Sequence, residues 1–198
     1  MKSPILKVVL SLVILVLAYL IFNSIVTPVK FKNDLGSRGS VVIDKLKDIR
    51  TAEQLFKQIN RHYTGDFDSL VQFIRTGKIP VVKMIPDPKD TTFTRTISDT
   101  LGYVSIYDSI YSKKAYKLEE LNVVPYSDGE KFELLAGQID KGGVKVAVFE
   151  ASTPIEFYSK GLNKQLVINQ KKEMENKNKF PGLKVGSMID ASTDGNWE

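Results

Sequence analysis

Residues 41 to 63, VVIDKLKDIRTAEQLFKQINRHY, decide how the chain is read. Val42, Leu46, Ile49, Ala52, Phe56, Ile59 and Tyr63 recur at helical spacing and lay an apolar stripe along one side of a helix. A strict heptad would bring Glu53 and Asn60 onto the seam, so the period favours a helix packed on its own domain over a coiled coil. The helix is expected to end near Tyr63-Thr64-Gly65, where glycine can take the left-handed C-terminal conformation. Asp66 then stands at the N-cap of a short second helix, FDSLVQFIR, closed by Gly77.

Toward the N-terminus, residues 8 to 26 read VVLSLVILVLAYLIFNSIV, with 16 hydrophobic residues in 19 and no charge. As a helix this run spans about 28 Å, close to the roughly 30 Å hydrocarbon core of a bilayer. A cleaved leader wants a shorter run and an A-x-A-like site, whereas this one ends in Phe22-Asn23-Ser24-Ile25. Residues 1–27 are therefore expected to be a retained signal anchor, touching the lipid bilayer through residues 8–26. Lys2 and Lys7 precede the run while Lys30, Lys32 and Arg38 follow it, nearly a draw by the positive-inside rule. The short basic leader and the long following domain favour a single-pass protein of the bacterial inner membrane, with its C-terminal domain in the periplasm. Residues 28–40, PVKFKNDLGSRGS, are expected to be a juxtamembrane connector in which Gly36 and Gly39 interrupt the helix. The extracytoplasmic domain is residues 41–198.

Beyond the helices the pattern turns to strands. Val81–Ile85 lies between Pro80 and Pro86-Asp87-Pro88, and Thr91–Ile97 and Tyr103–Tyr107 are rich in strand formers. Leu121–Tyr126, Lys131–Ile139 and Val144–Glu150 are separated by Ser-Asp-Gly and Lys-Gly-Gly turns and predict a meander with one covered face. Thr153 as N-cap with Pro154 at the first helical position would open a helical segment that continues through Gly161 to Asn176. The closing FPGLKVGSMIDASTDGNWE reads as a short strand and a polar tail. Helices before strands, without βαβ alternation, define an α+β class: an amphipathic helix packed on an antiparallel sheet.

Composition excludes much chemistry. The chain of 198 residues holds no cysteine and one histidine, His62. Thiolate metal sites, iron–sulfur clusters and cysteine nucleophiles are ruled out, and a Ser-His-Asp triad would have to use a histidine at a helix end, with no G-x-S-x-G elbow. Asp190, Ser192, Asp194 and Gly195 match early positions of a calcium loop, without its closing glutamate. Glu119 and Glu120 are adjacent and point apart. With 28 basic against 23 acidic residues, the surplus is too small for a nucleic-acid footprint. No catalytic residue, metal or cofactor is expected. Tyr103, Tyr107 and Tyr111 are the candidates for an aromatic surface that stacks on sugar rings.

The run LKDIRTAEQLFKQINRHYTGDFDSLVQFI, residues 46–74, resembles the end of the long helix in pilins and type II secretion pseudopilins, where a glycine-containing segment, a short helix and an antiparallel sheet follow. With PGLKVGS near the end and the closing GNWE, the whole chain is similar to a family of uncharacterised single-pass bacterial envelope proteins. These resemblances imply a pseudopilin-like order of elements and a membrane location, and no activity. The expected function is that of a non-catalytic, membrane-anchored envelope scaffold with protein partners, in a secretion or pilus-like assembly. The alternative is a cell-wall or glycan binding or processing module.

Overall fold

The computed structural model describes residues 4–86 and 96–198, apart from the side chains of residues 5, 84–86 and 96–99. Helix α1 (Pro4–Asn60) runs for 57 residues. Its N-terminal part reaches a mean hydropathy of 2.6 over 18 residues, none of them buried, and is long and apolar enough to cross a membrane. From Leu6 to Val26 its large apolar side chains stand exposed, and burial begins only at Phe31. So long a bare apolar surface is not sustained in water.

The expected connector is helical: α1 passes through Pro28, Gly36 and Gly39 without a break. Each helical glycine costs about 1 kcal/mol relative to alanine. That cost does not outweigh cooperative propagation from both sides, or the enclosure of Phe31, Gly39 and Val42. The helix also stops earlier than expected, at Asn60, and Arg61 rather than Gly65 takes the positive φ of 69°. Gly65 serves a different purpose, because a Cβ there would sit 3.3 Å from the backbone nitrogen of Ala136.

The chain forms two compact units. The first comprises α1 as far as Asp44, residues 124–130 and residues 153–183, and it buries Phe31, Val42, Val124, Ile155, Tyr158 and Val167. It includes α3 (Ile155–Tyr158) and α4 (Lys164–Asn176), the latter capped by the Asn163 side chain. Pro154 is the last residue of a strand and not the first of a helix, and Thr153 Oγ1 is buried without a partner instead of capping.

The second unit comprises Lys45–Val123, Lys131–Ser152 and Lys184–Glu198. Leu46, Ile49 and Ala52 are fully buried here, as the helical period requires. Phe56 departs from the expected stripe. It lies half-buried, edge-on to Phe73 of α2 (Phe67–Thr76) at 5.0 Å and to His62 at 5.6 Å. Ile59 is 50% exposed, while Glu53 is fully enclosed. The chain turns back after Asn60, so α2 and not a sheet meets the last turns on that side. Asp66 caps α2 as predicted, accepting from the amides of Asp68 and Ser69.

The strands form two antiparallel sheets. β1 (Lys78–Pro86) pairs with β2 (Thr96–Ser105), and β3 (Glu133–Lys141), β4 (Val144–Pro154) and β5 (Gly182–Gly186) lie in that order in the other. The expected strand Thr91–Ile97 falls largely outside the described residues, and Tyr103–Tyr107 divides between β2 and a π-helical turn, Tyr107–Tyr111. Of the expected meander, Lys131–Ile139 and Val144–Glu150 form the β3–β4 hairpin. Leu121–Tyr126 contributes only an isolated bridge, Val123 to Lys131. The third place is taken by β5, where Gly182 abuts Thr153 and Gly186 abuts Phe149 too closely to admit a Cβ. The helix-plus-antiparallel-sheet class thus holds, with a different third strand.

Candidate functional site

Among the described residues, the β1–β2 ribbon is an exposed apolar feature away from the N-terminal run of α1. Its hydrogen-bond phase follows from Ile106 N–H donating to the Gly77 carbonyl at 3.0 Å. Counting along the register, Ile79–Val104 is a bonded pair and Pro80–Tyr103 an unbonded one. Pro80 therefore places its missing N–H on the outer edge of β1, where Pro86 also lies, while Tyr103 turns its N–H and C=O to the outer edge of β2. Between Val81 and Val82 the register shifts, and Leu101 is the extra, unpaired residue of a bulge. Val81, Val82, Leu101, Tyr103 and Val104 are between 41% and 69% exposed. Val81 and Val104 fall on one face and Val82 and Tyr103 on the other, so both faces are open and apolar.

Beside the ribbon's base lies an open cleft of about 470 Å³, lined among others by Arg75, Tyr107, Asp108, Lys117 and Glu119. Arg75 and Glu119 form an ion pair there, each side chain 61% exposed. Pairs so exposed contribute little.

The three candidate tyrosines do not share a surface. Tyr103 projects from β2 and Tyr107 is 41% exposed at the cleft. Tyr111 is 3% exposed and donates its hydroxyl to the Asp48 carbonyl at 2.9 Å, so its ring is not available for stacking. Four-residue spacing would align them on one continuous helix or one continuous strand, and here the strand ends before a π-helical turn begins.

Tyr111 belongs to a buried polar network on α1. Asp48 accepts from Lys114 Nζ at 2.6 Å and from the Tyr116 hydroxyl at 2.7 Å. One turn earlier, Lys45 donates to the carbonyls of Glu120 and Val123 and lies 4.6 Å from the Tyr116 ring centre. Burial lowers the Lys45 pKa, opposed by Glu120 and Asp48, and burial, then Asp48, raises those of Tyr111 and Tyr116. Both phenols stay protonated, and the network ties residues 111–123 to the helix.

Glu53 is the functional-group surprise of the core, a carboxylate at a position that the helical period places inside the stripe, between Val42 and Leu46. Its Oε2 accepts from the Thr64 amide at 3.0 Å, and Oε1 is buried with no partner. Burial pushes its pKa up to about 8 against the lowering effect of the Thr64 bond. A signal for it exists in the heptad spacing 42-46-49-53, which Glu53 completes. His62 is exposed, its Nδ1 2.8 Å from the Asn60 carbonyl. Among the described residues, no three His, Cys, Asp or Glu side chains gather to hold a metal. The Asp190–Gly195 loop is held by Ser192 Oγ donating to Asp194 at 2.8 Å, by the Gly186 amide donating to the Asp194 carbonyl at 2.9 Å and by the bridge from Val185 to Gly195.

No protein-family model, curated protein or solved structure matches the chain.

Proposed function

We propose that the protein is a membrane-anchored, non-catalytic interaction module that holds a partner protein through the β1–β2 ribbon. The carrying observation is the ribbon itself: a two-stranded sheet open and apolar on both faces, with one edge blunted by prolines and the other, along β2, free of them. A two-stranded ribbon is marginal alone, and a proline-free edge beside exposed Leu101 and Tyr103 suits an extended partner segment added as a strand. The apolar part of α1 supplies the anchor. The location that fits best is the bacterial inner membrane, with residues 41–198 in the periplasm. The unbroken α1, bare and apolar at its start and enclosed further on, favours a place in a secretion or pilus-like assembly.

The test is a photo-crosslinking amino acid placed in intact cells at Leu101 and, separately, at exposed Lys131. A discrete adduct from position 101 and none from 131 is expected. No adduct from 101, or the same adducts from both positions, refutes the ribbon as the docking element.

A further inference from the structure

The contacts inside the first unit settle which way α4 runs. Arg38 donates to the carbonyls of Lys160 at 2.6 Å and Tyr158 at 3.4 Å, just ahead of α4. At the far end, the Glu173 carboxyl is held below the usual carboxylate range by the hydrogen bond and charge of Lys177, with a smaller contribution from Lys32. Position 38 of α1 thus meets the approach to α4, and the charge of Lys32 reaches Glu173 near its C-terminal end. α4 is therefore antiparallel to α1 and heads toward the apolar run. Lys32 stands about 9 Å along α1 from Val26, and Lys177 about 6 Å beyond Glu173 in the opposite sense. With Glu173 near the level of Lys32, the turn after α4 lies on the membrane side of Lys32, within reach of the roughly 5–8 Å headgroup layer that borders the hydrocarbon.

Lysines concentrate at this level. Lys30, Lys32, Lys172, Lys177 and Lys179 are all exposed. Lys177 pairs with Glu173 at 2.6 Å and Lys171 with Glu156. Asp34 and Glu175 are the other nearby acids, which leaves a cationic surplus facing the membrane side. We propose that the Lys177–Lys179 turn, with Lys30, Lys32 and Lys172, binds the phosphates of anionic lipid headgroups and so fixes α4 to the membrane surface. Ammonium groups act as point charges toward phosphate, and each lysine near an anionic surface adds to the attraction. The proposal rests on the anchor reading above.

The chain has no cysteine, so Asn176→Cys, at the exposed last position of α4, accepts a single polarity-sensitive fluorophore. The full chain is reconstituted in nanodiscs of phosphatidylcholine alone or with phosphatidylglycerol, and acrylamide quenching is measured. A severalfold fall in quenching with phosphatidylglycerol is expected, reversed by high salt and absent in Lys177→Gln/Lys179→Gln. Equal quenching in both discs overturns the proposal, as does protection produced by inorganic phosphate in phosphatidylcholine discs, which would make the site one for free phosphate. A chain that enters neither disc overturns the anchor and this contact together. Entry without a phosphatidylglycerol response overturns the contact alone.

Discussion

Glu53→Gln offers the sharpest test of the core. The folded carboxyl titrates at about 8 against an ordinary 4.5, because burial penalises its charge and only the Thr64 amide answers it. Between those values the folded state keeps a proton that the unfolded state has released, so stability falls as pH rises from about 4.5 to about 8. Glutamine has no such proton. From pH 5 to pH 7 the wild type should therefore lose about 2–3 kcal/mol relative to the variant, the slope being at most about 1.4 kcal/mol per pH unit. The glutamine amide next to the position of Oε1 leaves donors unsatisfied, a constant penalty of about 1–3 kcal/mol that shifts both ends of the comparison equally. The assay is denaturant unfolding of the full chain in detergent, followed by its one tryptophan, half-buried Trp197 in the same unit as Glu53. Taking the difference between the two proteins removes every titration they share. If that difference changes by less than about 0.5 kcal/mol from pH 5 to pH 7, the carboxyl is either hydrated or paired, and the account of the core around it is wrong.

Two further outcomes follow from burial and exposure along the same chain. Leu46→Ala, at a fully buried site, should cost about 2–5 kcal/mol in the same unfolding assay, whereas Ile59→Ala, half exposed, should cost well under half as much. Asp128→Cys, at a side chain 86% exposed, should react with an impermeant thiol reagent added outside the inner membrane. Protection until the membrane is opened would reverse the proposed orientation.

Several features are legible in the amino-acid sequence because they depend on local rules. Asp66 ahead of an apolar-periodic run caps α2, and glycine pairs between alternating residues turn β3 into β4. Gly77 reads as a helix stop, and packing supplies a second reason for it: a Cβ there would lie 2.6 Å from Ile106 Cδ1. The stripe Val42-Leu46-Ile49-Ala52 matches the buried face to that point and departs from it beyond. The spacing 42-46-49-53 already points Glu53 inward, whereas how far Phe56 is covered depends on where the chain goes after Asn60, which no period within the helix encodes. The same limit explains the misplaced third strand, since Leu121–Tyr126 and Gly182–Gly186 both have strand composition and only packing beside β4 chooses between them.

Composition and period are enough to establish the uncharged apolar run, the absence of thiol and multi-histidine chemistry, and the α+β order of elements. They do not reach the continuity of one helix through Pro28, Gly36 and Gly39, the sealing of Tyr111 against Asp48 while Tyr103 stays free, or the enclosure of Glu53 with one oxygen unpartnered. Each of these is set by neighbours distant along the chain and emerges only on folding. Burial and hydrogen-bond partnership belong to the packed environment of a side chain and not to its type or spacing.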